Sequence, residues 1–155
     1  MTDNAASDWA FPVRFYFMVE FQSKLDRFQT SFTEVSGLDM RVETIKKTSD
    51  TGIWITMPGG VQYGKITLKR PIPPDNNDTF TQWIYKCLKA DTNKKMIAYD
   101  MIIKLLNKEG NPLAGWICSY AYPLQWTLDS LNSEDSKLVT ETVIMACNRI
   151  DRLKI

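Results

Sequence analysis

The sequence predicts a mainly β domain: two packed antiparallel sheets, sandwich or barrel-like, with one α-helix and a protruding arm. Three observations carry this. Apolar and polar residues alternate with period two in one stretch after another, as they do in strands with one face in a core. Turn chemistry separates those stretches, most plainly in Asn107-Lys108-Glu109-Gly110-Asn111-Pro112. Only Thr79 to Leu88 follows the helical period instead. The 155 residues fit a single domain, 1–155, long enough to bury about 70% of the unfolded surface. Within it, 1–10 reads as a polar leader and 44–60 as the arm.

In chain order, Val13, Phe15, Phe17, Val19 and Phe21 alternate with Arg14, Tyr16, Met18 and Glu20 and predict a core strand. Ser23 to Arg27 is a charged connection. Phe28 to Phe32 resumes extended structure into Thr33 to Leu38, with Gly37 expected at a bulge or turn. Leu38, Met40 and Val42 then oppose Asp39, Arg41 and Glu43 as a further strand. From Thr44 to Gly60 a polar run, Lys46 to Gly52, turns the chain, and Ile53-Trp54-Ile55-Thr56-Met57 brings apolar residues back. So long an excursion with large apolar residues near its tip predicts an arm that docks on another surface.

Tyr63 to Arg70 alternates again, with Ile66 and Leu68 on one face and Lys65, Thr67 and Lys69 on the other. The same region offers a second reading, since Gly59, Gly64 and Lys65 match part of a phosphate-binding loop. That loop needs a Ser or Thr after the lysine and a helix beginning there. Ile66 stands in place of the hydroxyl, and the β-branched run that follows ends at Pro71, so the strand is preferred. Pro71 to Asp78 reads as a solvated turn, lacking the glycine and terminal glutamate of an EF-hand loop. Thr79 and Gln82 make a capping-box signal, and Phe80, Trp83, Ile84, Cys87 and Leu88 form an apolar stripe. Asp91 to Lys95 ends the helix. Met96 to Leu106 and Leu113 to Tyr122 form a hairpin, Pro123 to Leu128 continues extended after a break, Asp129 to Lys137 loops, and Leu138 to Cys147 is the last clear strand.

Composition removes whole classes of chemistry. The chain has no histidine, which excludes Ser-His-Asp and Cys-His catalysis, histidine metal ligands and histidine pH switching. Nineteen basic against eighteen acidic residues give +1, without the broad positive field of a phosphate-binding protein. Cys87, Cys118 and Cys147 are widely spaced in apolar context and read as buried thiols of a protein folded in a reducing compartment. No catalytic, metal or cofactor residues emerge, so no cofactor is expected and the chain reads as no enzyme. The N-terminus lacks a secretory signal pattern, and no stretch approaches the roughly 20 apolar residues of a membrane span.

An ordered set of motifs resembles the tail tube proteins of contractile phages and related contractile injection systems. It comprises Phe32-Thr33-Glu34-Val35-Ser36-Gly37-Leu38, Tyr63-Gly64-Lys65-Ile66-Thr67-Leu68-Lys69-Arg70, Trp83 in the helix, Gly110-Asn111-Pro112 followed by Trp116 and Tyr120-Ala121-Tyr122-Pro123, and Glu141-Thr142. The proline-rich Pro71 to Asp78 and the long Asp91 to Ala98 connection depart from the pattern. The resemblance implies two packed sheets with one helix, similar in fold to the type VI secretion tube protein. It further implies a structural subunit whose hexameric rings stack into a hollow tube. Its partners would be further copies of itself, a sheath protein, baseplate and spike proteins, and a protein or DNA cargo in the lumen. Synthesis in the bacterial cytoplasm without a signal peptide and assembly into a phage tail or tail-like particle would follow.

On that footing Ile53, Trp54, Ile55 and Met57 are the candidate subunit-interface residues. Lys65, Thr67 and Lys69, joined by Glu141 from the last strand, are the lumen-lining candidates, a face that could equally turn outward to the sheath. Two other functions stand beside the bulk tube subunit. One is a specialised tube initiator or terminator. The other is a monomeric β-barrel module for a ligand or single-stranded nucleic acid, resting on the aromatic content and on Lys65, Lys69 and Arg70.

Overall fold

A computed structural model describes residues 16–74, 78–89, 96–129 and 139–154. The polar leader, Val13 and Phe15 of the first predicted strand, residues 75–77, the helix-ending residues 91–95 and most of the 129–137 loop lie outside them. The described elements are β1 (Tyr16–Gln22), β2 (Arg27–Phe32), β3 (Glu34–Ser36), β4 (Met40–Thr48), β5 (Trp54–Tyr63), β6 (Ile66–Pro71), α1 (Thr79–Leu88), β7 (Tyr99–Leu106), β8 (Pro112–Leu128), β9 (Thr140–Ala146) and β10 (Arg149–Arg152).

All strand pairs are antiparallel, and β8 belongs to two sheets. Its first half pairs with β7 and β10, in the order β2-β1-β7-β8-β10. Its second half pairs with β9, in the order β8-β9-β6-β3. Two irregularities bend it between the sheets. The register with β7 shifts at Tyr120, whose φ of 57° is left-handed and whose N–H donates to Asp100 Oδ1 at 3.1 Å. A second shift, with β9, falls between Pro123 and Gln125. Bulges of this kind increase local twist and turn a strand out of its plane. The break expected near Pro123 is therefore a bulge within one continuous strand.

The sheets meet again at Thr33, between β2 and β3, whose N–H and hydroxyl both donate to the Lys69 carbonyl, at 2.9 and 3.1 Å. Between the sheets lie Val19, Phe21, Phe32, Ile66, Leu68, Met101, Ile103, Val143 and Met145, all essentially inaccessible. Alternation had sent Val19, Phe21, Ile66 and Leu68 inward, and burying each such side chain contributes roughly 1.5–3 kcal/mol. The helix closes one side with Phe80, Trp83, Ile84 and Cys87. Trp83 stacks edge-on against Tyr99 at 4.9 Å between centroids, and its indole N–H donates to the Ile97 carbonyl at 2.8 Å, so its one polar atom is satisfied.

Three sequence expectations are corrected here. The arm expected over 44–60 is longer and strand-paired: a hairpin of β4 with β5, bulged at Gly59 and Gly60, that begins at Met40 and returns at Tyr63. Met40 and Val42, read as part of an ordinary strand, are more than half exposed. The helix cap is Asp78 rather than Thr79: the Asp78 carboxylate accepts from the Thr81 N–H at 3.2 Å, and its carbonyl accepts from the Gln82 N–H. The short β10 was missed because only Ile150 of its four residues is buried, too few to make an alternation visible.

Candidate functional site

The β6 strand sorts its residues as the alternation requires. Ile66, Leu68 and Arg70 face the core, while Lys65 is exposed and Thr67 and Lys69 are half-buried on the outer face. Cross-strand register then decides what joins that face. Lys69 lies opposite Thr142 and Thr67 opposite Ile144, whereas Glu141 lies opposite Arg70. Directly opposed residues point the same way. Glu141 is accordingly buried on the core side and does not share the face of Lys65, Thr67 and Lys69. That outer face carries only a loose ion pair, Lys69 to Glu34 at 3.9 Å with both side chains well exposed, which contributes little in water.

Arg70 is the residue that sequence reading underused. Its side chain is 5% exposed, and every arm of the guanidinium is occupied. Nε donates to Glu141 Oε1 at 2.6 Å, one terminal nitrogen to Thr30 Oγ1 at 2.8 Å, and the other to Asp78 Oδ2 at 2.5 Å and Thr81 Oγ1 at 3.0 Å. The cation lies over the Phe80 ring, 4.7 Å from its centroid. Glu141 uses its second oxygen to accept from the Trp126 indole N–H at 2.9 Å. One side chain thus joins β2, β6, β9 and the start of α1, and through Glu141 reaches β8. Burial pushes the Asp78 carboxyl up, but hydrogen bonding to Arg70, its charge and the Thr81 contacts outweigh that and hold the group below its usual range. Each nitrogen of the guanidinium is engaged, and two clefts flank the cluster, one beside Thr30 and Arg70 and one beside Thr81, Trp126 and Glu141. The cluster is a fastening between the sheets and the helix. Burial of Arg70 also removes it from the basic surface on which the nucleic-acid reading drew. The signal was present in the sequence, because the period that buries Ile66 and Leu68 reaches residue 70.

No group of three metal-ligating side chains occurs among the described residues. Hydrogen bonding between Cys118 and Cys147 raises the pKa of the former and lowers that of the latter. Cys87 and Cys118 are buried and Cys147 half-buried, and burial raises the Cys87 pKa above that of an ordinary thiol.

What stands out is the arm. Ile53, Trp54, Ile55 and Met57 are 45–69% exposed, and every residue of β4 and β5 is exposed except Gly59 and Tyr63, which are half-buried. The hairpin pairs with no other strand among the described residues. Its base is fixed by Leu38 and Tyr63, packed on the core, and by the Gly64 N–H donating to the Asp39 carbonyl at 3.0 Å. Gly37 has a φ of 83°, and a Cβ there would collide with the Lys65 carbonyl, so the chain passes closely beneath β6 only with glycine. Gly64 and Lys65 therefore sit at the foot of an arm and the head of a strand, with no helix to present amides to a phosphate. The four predicted interface residues do lie together near the tip, but on different sides of it: Trp54 pairs with Thr48 on one face, while Ile55 and Met57 pair with Lys47 and Ile45 on the other.

Comparison with known proteins gives a family and a fold. A family model described as T4-like virus tail tube protein gp19 matches residues 13–151. A search of curated proteins finds no match. Among solved structures, a chain of the anti-feeding prophage tube-terminating cap is 28% identical over 90% of this chain and 88% of its own, with a TM-score of 0.69. A chain of the sheath-tube complex of the extracellular contractile injection system PVC, in its extended state, is 23% identical over all of both chains, with a TM-score of 0.74. A chain of the anti-feeding prophage baseplate, 6-fold symmetrised, is 20% identical over 99% and 97%, with a TM-score of 0.73. The last two are likenesses of fold.

Proposed function

The chain belongs to the T4-like virus tail tube protein gp19 family, and from that membership we propose that it is the structural subunit of the inner tube of a contractile injection system or phage tail. In this reading six copies close into a ring, rings stack, and the lumen passes a protein or DNA cargo. The single observation that carries it is the family match over residues 13–151, to which the end-to-end likeness to a chain of a sheath-tube complex adds fold. The 6-fold symmetry of the baseplate that holds another similar chain supports the ring number.

Physically, one head-to-tail contact whose rotation closes makes a ring, and a second contact between opposite ends of the subunit makes an open stack. The exposed arm is the element suited to reach a neighbour, with Ile53, Trp54, Ile55 and Met57 as its contact residues. Lys65, Thr67 and Lys69 are proposed to line the lumen, where sixfold repetition turns a modest charge into a ring. The role is architectural and non-enzymatic, with sheath, baseplate and spike proteins as partners.

A second reading, a specialised terminator or initiator of the same tube, is favoured by the 28% identity to a chain of a tube-terminating cap. Copy number separates the two. Seeded on its baseplate and pelleted with sheath, a bulk subunit accumulates in proportion to sheath protein, whereas a terminator or initiator stays at one ring per particle however much is supplied. A chain that never pellets with the particle overturns both. Charge reversal at Lys65 should alter cargo loading and leave tube length unchanged; altered sheath attachment instead would put this face on the outside.

A further inference from the structure

The bend of β8 at Tyr120 brings two cysteines together. In a regular strand, residues three apart face opposite sides. Here the left-handed Tyr120 lies between Cys118 and Ala121, and both of these face the core with no exposure. Opposite the bend, β9 stops at Ala146 and β10 starts at Arg149, which leaves Cys147 and Asn148 as a break in the partner strand. The Asn148 N–H donates to the Ser119 carbonyl at 2.9 Å and holds this break against β8. Cys147 packs on the core from a half-buried position, and its sulfur shares a hydrogen bond with that of Cys118. The Arg149 backbone N–H is a second donor to it. Cys87 lacks this arrangement: it is buried, and its own thiol donates to the Ile97 carbonyl at 3.8 Å.

We propose that Cys118 and Cys147 form a peroxide-responsive pair, in which Cys147 is oxidised first and Cys118 then closes a disulfide onto it. A thiolate, not a thiol, attacks peroxide, so reactivity follows which sulfur ionises and which can be reached. Cys147 meets both conditions. Hydrogen bonds from Cys118 and from the Arg149 N–H favour its ionised form and outweigh its burial, and of the three cysteines it alone is not buried. Cys118 starts protected, because its hydrogen bond to Cys147 and its burial both hold the proton on its sulfur. In the first step the Cys147 thiolate attacks one peroxide oxygen and the O–O bond breaks. The departing hydroxide takes up the proton that the thiol released, and Cys147 becomes a sulfenic acid. That step consumes the thiolate that held the Cys118 proton in place. In the second step the Cys118 sulfur attacks the Cys147 sulfur, the S–O bond breaks, and hydroxide leaves with the Cys118 proton as water. Two thiols lose two electrons, and one peroxide becomes two waters. The bond ties the break between β9 and β10 to β8, at the bend where that strand passes from one sheet to the other. One chain suffices, so the chemistry stands apart from assembly.

The test exposes the full chain, reduced and freed of reductant, to hydrogen peroxide and maps it by mass spectrometry without reduction, beside Cys118→Ala and Cys147→Ala. The unaltered chain should lose two hydrogens, yield a linked peptide pair containing Cys118 and Cys147, and keep Cys87 as a thiol. In Cys118→Ala the sulfenic acid has no partner and should be trapped on Cys147 by dimedone. In Cys147→Ala, Cys118 should stay reduced. Before oxidation, iodoacetamide should modify Cys147 at least about tenfold faster than Cys87. Should an alanine variant not fold, the map of the unaltered chain and its alkylation rates decide the question. Cys118 and Cys147 left as thiols at peroxide concentrations that oxidise free cysteine overturn the proposal. So do oxidation of Cys87 ahead of Cys147, bridges formed only between chains, or a Cys147 carried to sulfinic acid without linkage to Cys118.

Discussion

Arg70 shows how a charged residue becomes structural. An arginine with two carboxylates, two hydroxyls and an aromatic ring around it has a partner for each of its three nitrogens, and no buried side-chain polar atom among the described residues lacks one. Removing the cation leaves Glu141 and Asp78 facing each other's charge in a poorly hydrated place. Arg70→Met is therefore expected to cost about 3–5 kcal/mol, the range for breaking a buried pair, measured by urea denaturation of the monomer. Asp78 adds a pH dependence. Its folded pKa lies below the usual 3.8, so its contribution is fully present above that value and is lost as pH falls through the folded pKa. Between about pH 5 and about pH 3 the melting temperature should fall more for the unaltered chain than for Asp78→Asn. Equal slopes would remove Asp78 from the fastening.

At the scale of elements, the foot of the arm is tightly specified and its length is not held by the protomer. Gly37→Ala introduces both a left-handed alanine, at roughly 1–2 kcal/mol, and a collision with the Lys65 carbonyl. It should lower monomer stability by more than that figure in urea unfolding. Trp54→Ala, at a side chain 69% exposed, should leave the monomer within about 0.5 kcal/mol of wild type while weakening assembly on a baseplate. Wild-type assembly would remove Trp54 from the interface.

The strands of the two sheets were legible because each buries one face, so Val19 and Phe21, or Ile66 and Leu68, wrote their burial into a period of two. The arm was legible as a protrusion but not as a hairpin. Its bulge at Gly59 and Gly60 breaks the alternation from which strands are read, and both of its faces are exposed, so neither shows the one-sided pattern of a core strand. Glu141 was misplaced although it shares a period of two with the buried Val143 and Met145, because a carboxylate in that series was read as surface and its partner Arg70 lies on a distant strand. The cap was misread by one residue because Asp78 and Thr79 are both good capping residues, and the contact with Arg70 decides between them.

For the whole molecule, the division of labour is between a closed body and an open arm. The body has two sheets joined at β8 and again at Thr33, with the aromatic cluster and the Arg70 fastening inside. The arm presents exposed apolar side chains on both of its faces. The chain belongs to a family of tail tube proteins, and assembly is the function we propose for it. The most direct test is electron microscopy of the full chain, seeded on its baseplate and viewed end-on. The expected result is hollow rings of sixfold symmetry that stack into tubes of uniform width, and a dispersed monomer, or rings of any other symmetry, would contradict it.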